Sequence, residues 1–124
     1  MSICFDLRFP EHYRKYAQTG CHVLCVPSAF TYSTGQRHWE PLLKARAIEN
    51  LTYVVAPNQV GQDACGTRCF GHSMIVSPWG EILSEASAHK EEIVYADLDL
   101  KTVLKTRTKL PGIYLRKNFI NKIG

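Results

Sequence analysis

Two short apolar runs with β character flank one long segment of helical periodicity in this chain. His22–Val26 and Thr52–Ala56 are the two runs, and His38–Leu51 is the segment between them. In that segment the apolar residues recur at the spacing of a helix face, and Pro41 falls in the first turn, where proline is tolerated. Strands and helices that alternate in this way favour an α/β or α+β architecture.

The rest of the chain adds further elements on both sides of this unit. Ser2-Ile3-Cys4 is predicted to be the stump of a strand. Pro78 and Gly80 occupy positions that they prefer in a type I turn, which predicts a β-hairpin around them. The remaining predicted elements are a helix over Glu11–Thr19, a loop over Ser28–Arg37, hairpin strands over Ser73–Val76 and Glu81–Leu83, a strand over Ile93–Leu98, and a helix from Asp99 to about Leu110.

The composition is typical of one small globular domain. The sequence has 124 residues, of which 45% are hydrophobic and 21% are charged, an ordinary balance for a chain with a packed core. No run approaches the ~20 apolar residues of a membrane-spanning helix, and no signal peptide is recognised, so we expect a cytoplasmic protein, with the mitochondrion as the alternative. The odd number of cysteines, 5, favours free thiols in a reducing compartment.

Charge is distributed unevenly along the chain. Residues 1–100 carry eight Lys and Arg against eleven Asp and Glu, a balance of −3, whereas residues 101–124 carry seven basic residues and no acidic one. A basic end can bind nucleic acid, but it is more often a solvated helix face, and no nucleic-acid motif accompanies it. We therefore predict no nucleic-acid or membrane partner, a domain over residues 1–111, and a divergent basic tail over residues 112–124.

Cys4 is the candidate nucleophile. It follows the predicted strand stump and precedes a loop that leads into a helix. A nucleophile at such a turn is held at the edge of a sheet, where nearby backbone N–H groups can bind an oxyanion. On position alone, the simpler interpretation is that Cys4 is a small apolar residue at the end of a strand. The neighbouring sequence reverses that preference.

A resemblance to a known family extends over most of the chain. The Nit branch of the nitrilase (carbon–nitrogen hydrolase) superfamily has a nucleophile segment that resembles Cys4-Phe5-Asp6-Leu7-Arg8-Phe9-Pro10-Glu11. Further segments resemble later motifs of that family, in the family's order; they are Pro27–Thr31 followed by Thr34-Gly35 and His38-Trp39-Glu40, then Leu43–Asn50, Gly71–Val76 and Pro78–Glu81. The resemblance runs from Ile3 to about Pro111 and is greatest to the deaminated glutathione amidases, followed by the omega-amidases.

This resemblance implies a partial αββα four-layer sandwich of the nitrilase type and a Glu-Lys-Cys catalytic set. In such a set the glutamate takes the thiol proton of Cys4 and later donates it to departing ammonia. The lysine stabilises the oxyanion together with the backbone N–H of Phe5, and water hydrolyses the resulting thioester. The implied reaction is hydrolysis of a linear amide C–N bond, and it uses no cofactor.

Four residues are candidate substrate contacts, namely Phe5, Arg8, Phe30 and Thr31. A guanidinium near the nucleophile suits an amide that carries a carboxylate, because its planar fork binds a carboxylate through two N–H groups. The resemblance implies a small acidic amide, such as deaminated glutathione. The alternative for Arg8 is a structural ion pair with Asp6 or Glu11, and Phe30 and Thr31 have a structural alternative as well.

Four other polar residues are assigned structural roles. Arg46 and Glu49 lie at helical spacing and are expected to form an ion pair. His38 and His72 are expected to be hydrogen-bonded core or loop residues, because the implied mechanism gives histidine no part.

Zinc is the rival hypothesis for the cysteines. Cys21 and Cys25 enclose a histidine, and a second pair, Cys65 and Cys69, precedes His72. Structural zinc sites more often use two-residue spacings, and residues four apart on a strand lie ~13 Å apart. No metal site is therefore predicted.

The sequence departs from the family at the glutamate and the lysine. Both precede the cysteine in the family, whereas three residues precede Cys4 here, and Glu11, Glu40 and Glu49 belong to other motifs. We expect little amidase activity from the chain alone. The second hypothesis is a non-catalytic chain, a truncated gene product or pseudoenzyme that serves as a binding or oligomerisation module. A half sandwich exposes apolar sheet surface, so we also expect a homo-oligomer.

Overall fold

The computed structural model describes residues 1–112, which contain one four-stranded sheet. β1 (Val23–Cys25) pairs in parallel with β2 (Tyr53–Ala56), which pairs antiparallel with β3 (Met74–Val76). β3 in turn pairs antiparallel with β4 (Ile82–Glu85). The parallel pair requires a long crossover, which the central helix supplies. The antiparallel pair β3–β4 is the predicted hairpin.

A short 3-10 helix and three α-helices accompany the sheet. The 3-10 helix covers Cys4–Arg8 and is called the Cys4 turn below. The α-helices are α1 (Pro10–Gln18), α2 (Tyr32–Asn50) and α3 (Leu100–Lys109). Pro10 opens α1 one residue before the predicted start at Glu11, and the side chain of Asp99 accepts a hydrogen bond from the Lys101 N–H at the start of α3.

The core lies between one face of the sheet and the helices α1 and α2. Alternate strand residues point into it, because successive side chains of a strand face opposite sides. Its large buried members are Leu7, Tyr13, Leu24, Val26, Phe30, Trp39, Leu43, Val54, Met74 and Val76. The other face of the sheet is more open, since Cys25 is exposed and Leu83 is 40% exposed. A mixed α/β architecture with one helical layer on the sheet confirms the predicted fold class.

The predicted loop over Ser28–Arg37 is wrong in its second half, because α2 already begins at Tyr32. Thr31 has the extended conformation of a helix N-cap, with φ −68° and ψ 147°. The first turns contain polar residues and Gly35, which weaken a prediction based on apolar periodicity. Gly35 is required by packing, because a Cβ at this position would lie 2.3 Å from Cγ of Phe70.

The predicted strand over Ile93–Leu98 is also wrong, since no strand is assigned to this segment. Burial does alternate along it, because Ile93 is 77% and Tyr95 80% exposed while Val94, Ala96 and Leu98 are half-buried. Ile93 and Val94 share a cleft with Val55 and other residues of β2 and β3. The segment therefore lies near the open sheet face, and among residues 1–112 it pairs with no strand.

Most of the predicted basic tail lies outside the described residues, so the division at residues 111 and 112 stays a prediction. In the part of the chain that the structure describes, no helix is long and apolar enough to cross a membrane.

Candidate active site

Cys4 lies where an extended segment becomes the 3-10 helix. The N–H of Ser2 donates to the carbonyl of Cys25 at 3.1 Å, and that of Cys4 to the carbonyl of Pro27 at 2.9 Å. The chain before Cys4 therefore runs beside β1, but the predicted strand stump is wrong, because no strand is assigned to residues 1–3 and Cys4 already begins the 3-10 helix. At Cys4 the backbone enters the left-handed region, with φ 44°. Such a conformation costs of order 1–3 kcal/mol in a non-glycine residue and persists only where the surroundings hold it.

The start of the Cys4 turn presents a backbone donor beside the thiol. N–H groups in the first turn of a helix have no acceptor within that helix. The N–H of Cys4 is occupied by Pro27, and that of Asp6 donates to the carbonyl of Ile3 at 2.9 Å. The N–H of Phe5, between them, has no acceptor among residues 1–112. It is the donor that could bind an oxyanion formed next to the sulfur.

A cleft of about 230 Å³ opens beside the Cys4 turn. Its lining residues are Cys4, Phe5, Arg8, Ala29, Phe30, Thr31 and Thr34. The cleft thus brings together every residue proposed for the site from the sequence, although their roles stay predictions. Among the described residues, no lysine, glutamate or aspartate lines it. A general base for the thiol is therefore absent from this part of the lining.

Aromatic rings and a histidine surround the Arg8 guanidinium. Its Cζ lies 5.6 Å from the ring centre of Phe5 and 5.2 Å from that of Phe30, both within the range of cation–π attraction. Nη1 donates to Nδ1 of His38 at 3.2 Å. Arginine can only donate, so the proton of neutral His38 is assigned to Nε2. Within residues 1–112 Arg8 forms no ion pair, and the structural alternative with Asp6 or a neighbouring glutamate is not observed.

Phe30 forms a fixed wall of the cleft. Its N–H donates to Oδ1 of Asn58 at 2.8 Å, and its carbonyl accepts from the N–H of Phe70 at 2.8 Å. Its ring packs against Trp39 with 5.1 Å between ring centres. The amide of Asn58 also donates to the carbonyl of Gly71 at 2.6 Å. Asn58 was not a sequence candidate, because a polar residue after a proline in a loop carries no sign of this role.

Two threonine hydroxyls form the polar side of the cleft. Oγ1 of Thr31 lies 2.9 Å from Oγ1 of Thr34. Thr31 was predicted to line the site, whereas Thr34 was recognised only as part of a family motif. Three-residue spacing on a helix puts two side chains on the same face. Because the sequence pattern predicts a loop for this segment, the helical spacing of Thr31 and Thr34 is not used there.

Two buried contacts lie behind the Cys4 turn. The hydroxyls of Ser2 and Tyr13 are 2.6 Å apart, and burial raises the pKa of the Tyr13 phenol, which therefore stays protonated. Arg46 donates twice to the carbonyl of Leu7, from Nε at 3.0 Å and from Nη2 at 2.7 Å. Its Nη1 pairs with Glu49 at 3.0 Å, which confirms the predicted ion pair. The contact with Leu7 was not foreseen.

His38 and His72 are hydrogen-bonded, as expected, but His38 lies exposed on α2 and not in the core or a loop. His38 contacts Arg8, and Nδ1 of His72 lies 2.6 Å from Oε1 of Glu85. All five cysteines are free; Cys25 and Cys65 are exposed and Cys69 is buried. Among residues 1–112, no group of three His, Cys, Asp or Glu side chains is arranged to hold a metal ion.

Comparisons with known proteins agree with this geometry. The profile of the carbon–nitrogen hydrolase family matches residues 1–108. A deaminated glutathione amidase of Dictyostelium discoideum is 46% identical over 111 residues, which are 90% of this chain and 38% of that protein. Human omega-amidase NIT2 is 42% identical over 111 residues, 90% of this chain and 40% of its own.

A solved structure gives the same assignment for the fold. The crystal structure of the Caenorhabditis elegans NitFhit protein superimposes with a TM-score of 0.83 and 43% identity, over 92% of this chain and 27% of that one. The chain therefore spans roughly two fifths of the length of the two amidase relatives. With its family profile, its fold and its sequence relatives in agreement, the chain belongs to the carbon–nitrogen hydrolase family of the nitrilase superfamily.

Proposed function

We propose that this chain carries the nucleophile of a cysteine amidase, and that Cys4 is that nucleophile. The observation that carries the proposal is the place of Cys4, in a left-handed turn at the wall of a cleft and next to a free backbone N–H. A structural cysteine at the end of a strand needs neither the strained backbone nor the cleft. Membership of a family with amidase relatives supports the same assignment.

The proposed reaction begins when the thiolate of Cys4 attacks the amide carbon. The carbonyl π electrons move to oxygen, and the N–H of Phe5 donates to the resulting oxyanion. Collapse of the tetrahedral intermediate expels ammonia, which receives the proton first taken from the thiol, and leaves a thioester on Cys4. Water then attacks the thioester and releases a carboxylic acid and the thiol. The net change is an amide plus water to a carboxylic acid plus ammonia, and this chemistry uses no cofactor.

The proton transfers need a base, and the family resemblance supplies one as a glutamate, with a lysine for the oxyanion. Neither is matched in this sequence. We therefore expect the isolated chain to hydrolyse amides very slowly or not at all, because a thiol without a base is mostly protonated at neutral pH. Amide turnover by the isolated chain that is lost in Cys4→Ala would contradict this expectation.

The proposed substrate is a small acidic amide, of which deaminated glutathione is the example. Arg8 supplies the cation for the carboxylate, and the described part of the chain gives it no competing carboxylate. The rings of Phe5 and Phe30 lie within cation–π distance of the guanidinium, and a planar guanidinium can bind a carboxylate through two parallel N–H groups. The hydroxyl of Thr31 supplies a neutral donor on the other wall.

Association with a second copy is part of the proposal, as is a cytoplasmic location. Apolar side chains near the start of the chain are exposed, with Ile3 at 58% and Phe5 at 64%. Exposed apolar surface of this kind promotes self-association. Sedimentation velocity checks the point, and a monodisperse monomer at micromolar concentration would contradict it.

A matched pair of thiol reagents tests the nucleophile and its cation together. N-ethylmaleimide and 3-maleimidopropionate differ in a carboxylate, and the adducts at each cysteine are separated by peptide mass spectrometry. We expect Cys4 to react faster than the exposed thiols of Cys25 and Cys65. We also expect Cys4 to favour the charged reagent about tenfold more than Cys25 does, because a charge-assisted hydrogen bond contributes roughly 1.5–3 kcal/mol.

Two variants make that experiment specific. Arg8→Gln should remove the preference for the charged reagent at Cys4. Arg37→Gln removes an exposed charge on α2, away from the Cys4 turn, and should retain that preference. Equal rates at Cys4 and Cys25 would count against a preorganised nucleophile and favour the non-catalytic module. A preference that survives Arg8→Gln would exclude Arg8 as the carboxylate contact.

A further inference from the structure

The strained backbone at Cys4 requires surroundings that hold it, and one buried side chain contacts the same turn near its end. Arg46 is 5% exposed and lies on α2, 39 residues away in sequence from the residue that it contacts. It donates from Nε and Nη2 to one carbonyl, that of Leu7, which belongs to the Cys4 turn. Leu7 itself is completely buried.

A buried guanidinium needs compensation for the hydration that it loses, and residues 1–112 supply Arg46 with three partners, Leu7, Glu49 and Tyr13. Glu49 neutralises its charge at 3.0 Å, and the ring of Tyr13 lies 5.5 Å from its Cζ. Carbonyl groups in the last turn of a helix have no donor within the helix, so the carbonyl of Leu7 gains two donors from Arg46. This contact fixes the end of the Cys4 turn against α2.

The start of the same turn is fixed by different contacts. The N–H of Cys4 donates to the carbonyl of Pro27, and the hydroxyl of Ser2 meets that of Tyr13 at 2.6 Å. With the chain fixed before Cys4 and again at Leu7, the backbone must change from extended to 3-10 helical within a few residues. The left-handed conformation of Cys4 lies at that change.

We infer that Arg46 is a positioning residue for Cys4. It touches neither the cleft nor a substrate, and it acts through the carbonyl of Leu7 to hold Cys4 in the left-handed conformation. Cys4 and Phe5, the next residue, both line the cleft. The role in catalysis rests on the proposed function, whereas the effect on the backbone of Cys4 does not.

The geometry of the contact predicts that lysine cannot replace Arg46. A guanidinium directs two N–H groups to one oxygen and a third to a carboxylate, whereas an ammonium is a single point donor on a flexible stem. Arg46→Lys keeps the charge and the helix propensity but should lose the paired contact with Leu7. Glu49→Gln is the matched control, because it removes the ion pair and leaves both bonds to Leu7 in place.

The deciding measurement is the backbone conformation of Cys4 in the isolated chain. The one-bond Cα–Hα coupling and the Cα and Cβ chemical shifts of Cys4, measured by NMR on selectively labelled protein, distinguish a positive from a negative φ. We expect Arg46→Lys and the stronger Arg46→Met to shift these values toward those of a negative φ. Wild type and Glu49→Gln should share the positive-φ values.

Labelling rates separate positioning from general loosening. N-ethylmaleimide should react with Cys4 at least about fivefold more slowly in Arg46→Lys, while the buried thiol of Cys69 stays protected as in wild type. Unchanged Cys4 couplings in Arg46→Lys would overturn the inference, and so would a change at Cys4 that appears only together with exposure of Cys69. If Arg46→Met does not fold, the Lys variant alone decides.

This design also separates the inference from the proposed function. A wild-type Cys4 that reacts no faster than Cys25 would count against the nucleophile, yet the coupling of Cys4 would still decide whether Arg46 sets its backbone. Conversely, Cys4 could react selectively in wild type while Arg46→Lys changes neither its labelling rate nor its NMR coupling. That outcome would support Cys4 as the nucleophile and would show that Arg46 does not position it.

Discussion

Cys4 and Arg8 begin and end one five-residue 3-10 helix, but the contacts that hold them differ in kind. Around Cys4 they are backbone hydrogen bonds and buried side chains, among them Leu7, which is completely buried. Around Arg8, among residues 1–112, they are one hydrogen bond donated to the exposed His38 and the faces of two rings. The first set fixes an atom in space, whereas the second leaves a side chain able to adjust.

This difference corresponds to what each residue would do in an amidase. A nucleophile must be held close to its near-attack position, because a misplacement of about 1 Å can cost roughly 10²-fold in rate. A cation that recognises a carboxylate tolerates more freedom, since two N–H groups can follow the ligand. We therefore expect changes near Cys4 to reduce stability and changes near Arg8 to alter selectivity at little cost in stability.

Leu7→Ala should have the largest effect on stability. Truncation of a fully buried leucine typically costs about 2–5 kcal/mol, because the removed atoms leave a cavity that closes only in part. Urea denaturation followed by tryptophan fluorescence measures the change. The control is Ile3→Ala at a side chain that is 58% exposed, which should change the unfolding free energy by less than about 0.5 kcal/mol. Similar losses of unfolding free energy in Leu7→Ala and Ile3→Ala would contradict the proposal that buried side chains hold the Cys4 end of the turn.

Tyr13→Phe should have an intermediate effect that depends on pH. At neutral pH it removes one buried hydrogen bond to Ser2, a loss of about 1 kcal/mol. Because burial raises the pKa of Tyr13 in the folded chain, the folded state keeps a proton that the unfolded state loses. The stabilisation that Tyr13 contributes is complete below about pH 10, the ordinary pKa of a tyrosine in the unfolded chain. It is lost as the pH rises through the raised pKa of Tyr13 in the folded chain.

The check is the unfolding free energy of wild type and Tyr13→Phe between about pH 8 and pH 11. Wild type should lose its advantage over the variant as pH rises, so that the two curves converge. Tyr95→Phe, at a tyrosine that is 80% exposed, should run parallel to wild type over the whole range. Curves for Tyr13→Phe that stay parallel to wild type would show that the phenol is not held in its protonated form by burial.

The same contrast explains what the sequence could predict. Cys4, Phe5 and Arg8 are neighbours in one motif, so their meeting in a cleft follows from local sequence. Phe30 and Thr31 come from the next loop, and their approach follows from the β1–α2 connection. Side-chain identity and short spacing carry this information.

The contacts behind the turn could not be predicted in this way. Arg46 bonds to a carbonyl, and a backbone acceptor leaves no trace in residue identity. The Arg46–Glu49 pair was predicted because both members are side chains at helical spacing. The strand predicted over Ile93–Leu98 is wrong because an apolar run is a local property of the sequence. A strand also needs a neighbouring strand with which to pair, and local sequence does not show that neighbour.

The smallest expected effect belongs to His38, and it tests how loosely the Arg8 end is held. His38→Leu removes the acceptor for Nη1 of Arg8, whereas His38→Gln keeps an oxygen within reach. The rings of Phe5 and Phe30 remain on the guanidinium in both variants.

We expect His38→Leu to lower the preference of Cys4 for 3-maleimidopropionate over N-ethylmaleimide by about two- to threefold, because an exposed contact contributes less than roughly 1 kcal/mol. His38→Gln should retain most of that preference, and neither variant should change the unfolding free energy by more than about 0.5 kcal/mol. A loss as complete as that of Arg8→Gln would mean that His38 fixes the guanidinium as firmly as the buried contacts fix Cys4. The two ends of the turn would then be held alike, and selectivity could not vary independently of the position of the nucleophile.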